Sequence, residues 1–134
     1  MSEISIDLTS QITQDNDTET FHKSSSGTLE EAEDILRISY LEDNQIPVKL
    51  LIKDHELLLR RGVDHNNYSF MRLVPGEKAA CRYLVDGRQM DLLSVTNRLE
   101  LTEADDGSRK LQVEYDLFSG LYLVGNYAIT LIFT

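Results

Sequence analysis

The sequence predicts an all-β chain in which about ten short antiparallel strands follow one another as a meander. Three observations carry that prediction. Apolar and polar residues alternate at a period of two, turn-forming residues punctuate the chain at short regular intervals, and no long helical pattern separates the strands. Such a meander either closes on itself or folds into a sandwich.

Taken in order, Ile4, Ile6, Leu8 and Ile12 fall on even positions with Ser5, Asp7, Thr9 and Gln11 between them, the signature of a half-buried strand. Asp15-Asn16-Asp17 closes a turn. Thr18 to Leu29 continues extended, but Ser24-Ser25-Ser26-Gly27 offers little to pack, and its glycine marks a bulge or a close backbone approach. From Thr28 to Asn44 the signals conflict. Thr28 and Glu31 resemble a capping box, with Ala32, Ile35, Leu36 and Ser39 at helical spacing. Against this, Ile35 to Leu41 is rich in β-branched and aromatic residues, and a tight turn within Glu30 to Asp34 suits the meander, so the segment is read as strand.

The remaining elements are a strand near Val48 to Lys53, a turn at Asp54-His55, a strand from Glu56 to Gly62, a loop through Asp64 to Asn67, and a strand from Tyr68 to Val74 ended by Pro75-Gly76. Lys78 to Val85 meets Arg88 to Glu103 across Asp86-Gly87, a pair suited to a two-residue hairpin because both turn positions need φ > 0. After a turn at Asp105 to Ser108 come Arg109 to Phe118, the pair Ser119-Gly120, and a last strand from Tyr122 to Phe133. A turn centred on Asp106 sets Glu103 opposite Arg109, Leu101 opposite Leu111, Leu99 opposite Val113 and Asn97 opposite Tyr115. Leu93, Val95 and Leu117 extend that face, and the last strand adds Leu123, Gly125, Tyr127, Ile129, Leu131 and Phe133 to it, although Val124 and Ile132 leave its register open.

A chain of 134 residues fits one domain, spanning 1–134. Its 23 acidic residues against 13 basic ones give a net charge of -10, which disfavours nucleic acid and membrane surfaces as partners. The charge is uneven: residues 1–47 hold 11 acids and 2 bases, 48–98 hold 6 and 9, and 99–134 hold 6 and 2. In the middle segment Arg60, Arg61, Arg72, Arg82, Arg88 and Arg98 could form a stripe for an anion, but alternation along strands ordinarily scatters such charges over solvated faces. A lone Cys81, no apolar run near the ~18 residues of a membrane span and no signal-peptide pattern at the start point to the cytoplasm.

Two stretches carry a family resemblance. FMRLVPGEKAACRYLVDGRQMDLLSVTNRLE (Phe70 to Glu100) and LQVEYDLFSGLYLVGNYAITLIF (Leu111 to Phe133) resemble the YwiB-like family of bacteria, a domain of unknown function. The likeness extends over nearly the whole chain. It implies a calycin-like, lipocalin-type β-barrel in the cytoplasm. The wider calycin relatives bind lipophilic molecules, but the tryptophan that lipocalins carry near the first strand is absent, since the chain has no Trp.

Catalytic and metal motifs are missing from the sequence. His22, His55 and His65 lie in no catalytic pattern, and no G-x-S-x-G is present. Asp15, Asp17 and Glu19 begin like a calcium loop, but Thr20 and Ser26 stand where glycine and glutamate are needed. One cysteine and scattered histidines show no zinc spacing, and Cys81 reads as a buried structural thiol. No cofactor is implied. What remains is Asn97 with Tyr115, joined by Tyr127, on an otherwise apolar inward face. These polar groups either satisfy one another or orient a ligand. The leading expectation is therefore a non-catalytic barrel that binds a small, largely apolar ligand in its interior through Asn97, Tyr115 and Tyr127. The alternative is a protein-interaction or structural module, its barrel filled, acting through its charged surface on a partner the sequence does not identify.

Overall fold

A computed structural model of the chain describes residues 2–134. Its ten strands are β1 (Ser2–Gln14), β2 (Asp17–Ala32), β3 (Ile35–Glu42), β4 (Ile46–Lys53), β5 (Glu56–Asp64), β6 (Asn67–Leu73), β7 (Lys78–Val85), β8 (Arg88–Glu103), β9 (Arg109–Ser119) and β10 (Tyr122–Phe133). Each pairs antiparallel with its neighbours in sequence, and β1 pairs with β10 as well as β2, so the sheet closes into the meander barrel the sequence predicts. There is no helix among the described residues, and Ile35 to Glu42 is strand. The turn before it is confined to Glu33 and Asp34, because Glu30, Glu31 and Ala32 stay in the ladder opposite Arg37, Leu36 and Ile35.

Several hairpins are tight because their turn residues accept left-handed backbone. Asp86 (φ 51°) and Gly87 (φ 77°) do so between β7 and β8, and Asp54 (φ 46°) with His55 (φ 61°) between β4 and β5. Short side chains with a local hydrogen-bonding atom, and glycine, tolerate this region best. By the up-and-down topology, the turns after β1, β3, β5, β7 and β9 share one end of the barrel. The start of β1, the end of β10 and the other turns share the opposite end.

Alternation decides what lies inside. Leu36 and Ile38 of β3, Leu50 and Ile52 of β4, and Val113 and Leu117 of β9 are buried, while Arg37, Lys49 and Lys53 between or beside them are exposed. Ile4 and Ile6 of β1 join this core from the closing seam. Fully burying one such side chain is worth about 1.5–3 kcal/mol, which makes the interior face the main source of register.

The predicted β8–β9 register holds for Glu103, Leu101 and Leu99 and then breaks. A bulge between Thr96 and Arg98 puts Thr96, not Asn97, opposite Tyr115. Its cause lies in the connection from β6 to β7. The Gly76 amide donates to the Thr96 carbonyl (2.9 Å), and the Thr96 amide donates to the Glu77 carbonyl (3.4 Å). Thr96 is thereby drawn toward that connection, and Asn97 becomes the extra residue. Every side chain N-terminal to the bulge changes face: Leu92, Ser94 and Thr96 are buried, whereas Leu93 and Val95 lie on the outward face. A second bulge between Leu123 and Gly125 likewise turns Leu123 outward, 49% exposed, and lets Val124 pack on the core.

Gly27 shows how tightly two strands approach. It sits opposite Tyr40, and a Cβ there would come within 2.5 Å of the Ser39 carbonyl oxygen and 2.9 Å of the Tyr40 Cβ. Because the nearest obstacle is backbone, relief needs a strand shift rather than a rotamer change. Gly27→Ala is expected to cost about 1–3 kcal/mol, read as a lowered urea midpoint at unchanged m-value. An unchanged midpoint would contradict this close packing of β2 on β3.

Candidate functional site

The inward side chains do not fill the barrel. A cavity of about 240 Å³ lies within it, walled by apolar residues that include Leu50, Leu57, Leu73, Val113 and Leu131. One arc of this wall is polar, and the sheet register builds it. Tyr40 pairs with Val48, Val48 with Arg61, Arg61 with Ser69, and Ser69 with Tyr83. A single inward row from β3 to β7 therefore carries two phenols, a guanidinium and a hydroxyl. Ser10 of β1 lines the same space.

Glu42, one inward step beyond Tyr40 on β3, meets Arg61 across β4. Arg61 Nε donates to Glu42 Oε2 at 2.6 Å, and Arg61 Nη2 also contacts that oxygen. Lys23 of β2 donates to Glu42 Oε1 (3.3 Å) and to Asp43 Oδ2 (3.0 Å). The Glu42 side chain is only 12% exposed, so two cations compensate a carboxylate partly withdrawn from water. Two outer clefts open beside this group. One of about 220 Å³ shares Arg61, Ser69 and Tyr83 with the central cavity, and one of about 210 Å³ shares Leu8, Tyr40 and Glu42 with it. The Arg61–Glu42 pair thus stands where interior space meets the barrel mouth.

Of the predicted ligand contacts, Tyr115 and Tyr127 are brought together and Asn97 is not. Tyr115 and Tyr127 are direct cross-strand partners with rings stacked at 5.1 Å and 6°. Tyr115 is buried and borders the cavity. Asn97 is exposed on the outer surface, where its Nδ2 donates to Asp116 Oδ2 at 3.1 Å. Thr96 replaces it inside, and its Oγ1 is buried without a hydrogen-bond partner. Such a group costs about 1–3 kcal/mol.

Burial sets the protonation of the interior groups. It pushes the Tyr40 and Tyr83 phenols up to about 12, with Glu42 adding to the effect at Tyr40 and Cys81 at Tyr83. Burial also raises the Tyr115 phenol, aided by the neighbouring Tyr83. All three are neutral hydrogen-bond donors at ordinary pH. The Tyr83 hydroxyl lies 3.3 Å from Met71 Sδ, while the hydroxyls of Ser10, Tyr40, Ser69 and Tyr115 have no hydrogen-bond partner among the described residues. Burial raises the Cys81 thiol as well, which keeps it unreactive. His22, His55 and His65 are exposed on separate elements, and no group of three or more His, Cys, Asp or Glu among the described residues could hold a metal ion.

Sequence reasoning missed Glu42, Tyr40 and Tyr83, and named Arg61 only as one of six arginines of a possible anion stripe. The signal was present: Leu36-Ile38-Tyr40-Glu42 and Leu57-Leu59-Arg61 each end an inward-phase apolar series in a charge of opposite sign. Favouring a scatter of these arginines over solvated faces ignored that the phase of Arg61 follows Leu57 and Leu59 into the barrel.

Residues 6–131 match the family described as a domain of unknown function, DUF1934. Among solved structures the chain is similar to the crystal structure of the ywiB protein from Bacillus subtilis, with 17% sequence identity and a TM-score of 0.82 over 98% of this chain and 89% of that one. At that identity the likeness establishes the shared barrel fold. No curated protein matches the chain.

The raised phenols give stability a definite pH dependence. An unfolded tyrosine loses its proton near pH 10, whereas Tyr40 and Tyr83 hold theirs to about 12 in the barrel. Between those values the unfolded state binds fewer protons. Stability is therefore full below about pH 10 and falls as pH rises toward 12. Urea midpoints measured from neutral pH upward should decline in that window, with a shallower decline for Tyr83→Phe. Equal slopes for wild type and Tyr83→Phe would contradict a buried Tyr83 phenol.

Proposed function

We propose that this chain, which belongs to the DUF1934 family, is a cytoplasmic, non-catalytic barrel that binds a small, largely apolar molecule in its interior. The observation that carries the proposal is the unfilled cavity of about 240 Å³, apolar over most of its wall. This volume lies just below the roughly 300–1,000 Å³ of pockets for drug-sized ligands, so the molecule is a small one. Hydrophobic transfer supplies the affinity, and the tyrosine and serine hydroxyls on the wall orient the molecule.

Tyr115 remains in this reading as a polar contact on the cavity wall, backed by the stacked ring of Tyr127. Tyr40, Ser69 and Tyr83 take the part that Asn97 had in the sequence-based expectation. The non-catalytic reading is supported by the chemistry of the wall: its phenols are held neutral by burial, and its one carboxylate, Glu42, is engaged by Lys23 and Arg61. The same cavity weighs against the alternative of a barrel filled by its own side chains and acting through its surface. A reducing compartment fits the one cysteine, buried and unpaired.

A neutral fluorescent probe, N-phenyl-1-naphthylamine, tests the proposal. Saturable one-site enhancement is expected with the wild-type protein. Val113→Trp, which places an indole in the cavity, should abolish the enhancement and change stability by less than the roughly 1–3 kcal/mol of an overpacked core. Probe binding that is unsaturable, or equal in the two proteins, would sink the reading.

A further inference from the structure

The interior ligand has a polar end, and the chemistry of the Arg61 corner selects its charge. Resting on the binding function proposed above, we infer that the ligand carries a carboxylate or similar anionic head that docks on Arg61, with its apolar body directed between Leu57, Val113 and Leu131. Arg61 would be the residue that sets specificity.

Donor and acceptor supply at the mouth leads to this choice. The ion-paired groups of this corner are Lys23 on β2, Glu42 and Asp43 at the end of β3, and Arg61 on β5. Their formal charges cancel, so net charge selects neither sign of ligand. Hydrogen bonding does. Both Glu42 oxygens are engaged, Oε1 by Lys23 and Oε2 by Arg61. A cationic head would reach a counter-charge already shared by two cations, Lys23 and Arg61, and would meet their repulsion.

An acceptor meets the opposite situation. Arg61 uses Nε and Nη2 on one oxygen of Glu42, and its Nη1 has no partner among the described residues. Around it the hydroxyls of Ser10, Tyr40 and Ser69 line the same cavity without a hydrogen-bond partner. The phenols are locked neutral by burial and therefore donate. An acceptor-only anion matches Arg61 and takes hydrogens from these hydroxyls, whereas an ammonium can be accepted only by the hydroxyl oxygens and leaves the Arg61 hydrogen unmatched beside a like charge. Arg61 borders both the central cavity and the outer cleft beside Val63 and Tyr68, so a head placed on it leaves the body free to enter the apolar interior. Charges farther than about 8 Å are screened at physiological salt, and the four ion-paired groups of the corner sum to zero.

The test compares three eight-carbon probes that differ only at the head: octanoate, octanol and octylamine. Each competes with N-phenyl-1-naphthylamine at neutral pH, against wild type and Arg61→Gln. Octanoate is expected to bind wild type at least about tenfold more tightly than the other two, the scale of one charge-assisted hydrogen bond. Arg61→Gln should remove that advantage and leave octanol unchanged. Octanol or octylamine binding as tightly as octanoate in wild type overturns the anionic head even if Arg61→Gln fails to fold, and so does an Arg61→Gln loss shared equally by all three. Failure of all three, and of the fluorescent probe, to bind wild type would instead overturn the interior-binding function itself.

Discussion

Closure of the sheet between β1 and β10 is the constraint on which everything else depends. A closed sheet has no free edge, and its strand number sets its girth. Around eight strands, inward side chains can just fill a barrel or leave room for one small ligand. With ten strands the circumference grows while each strand still contributes one inward residue in two. Leucines, valines and isoleucines of ordinary size then line the interior without meeting everywhere across it. The cavity follows from geometry, and the small residues Ser10 and Ser69 on its wall enlarge it.

Most of the architecture was legible in the sequence because alternation and turn chemistry are local. The Asp86-Gly87 hairpin, the strand at Ile35 to Glu42 despite its helix-like start, and the pairing of Leu99 with Val113 each follow from a few neighbouring residues. The bulge at Asn97 does not. It arises from hydrogen bonds between Thr96 and the Gly76-Glu77 segment, about twenty positions earlier in the chain, and nothing near Asn97 announces it. One inserted residue then reverses the face of Leu93 and Val95 and carries Asn97 out to Asp116.

The candidate site illustrates the same division. Tyr115 and Tyr127 were legible because β9 and β10 stay in register from Leu117 opposite Gly125 to Arg109 opposite Phe133, beyond the bulge. The polar row of Tyr40, Arg61, Ser69 and Tyr83 draws on four strands, and only the paired registers from β3 to β7 align it. Arg61 was easy to misplace because a charged residue is mostly exposed, and it is indeed about half exposed. Its neighbours on the inward face determine that its exposed half faces the barrel mouth. The cost of holding Glu42 there is offset by Lys23 and Arg61 together, and with Asp43 the four ion-paired groups sum to zero beside a row of hydroxyls.

The central claim, that the closed ten-stranded barrel encloses an apolar space its own side chains leave empty, is tested most directly by a crystal of the protein pressurised with xenon. Xenon enters apolar cavities without needing a polar partner. The account predicts ordered xenon between Leu50, Leu57, Val113 and Leu131. A well-diffracting crystal with no interior xenon, its core side chains in mutual contact across the barrel axis, would contradict it.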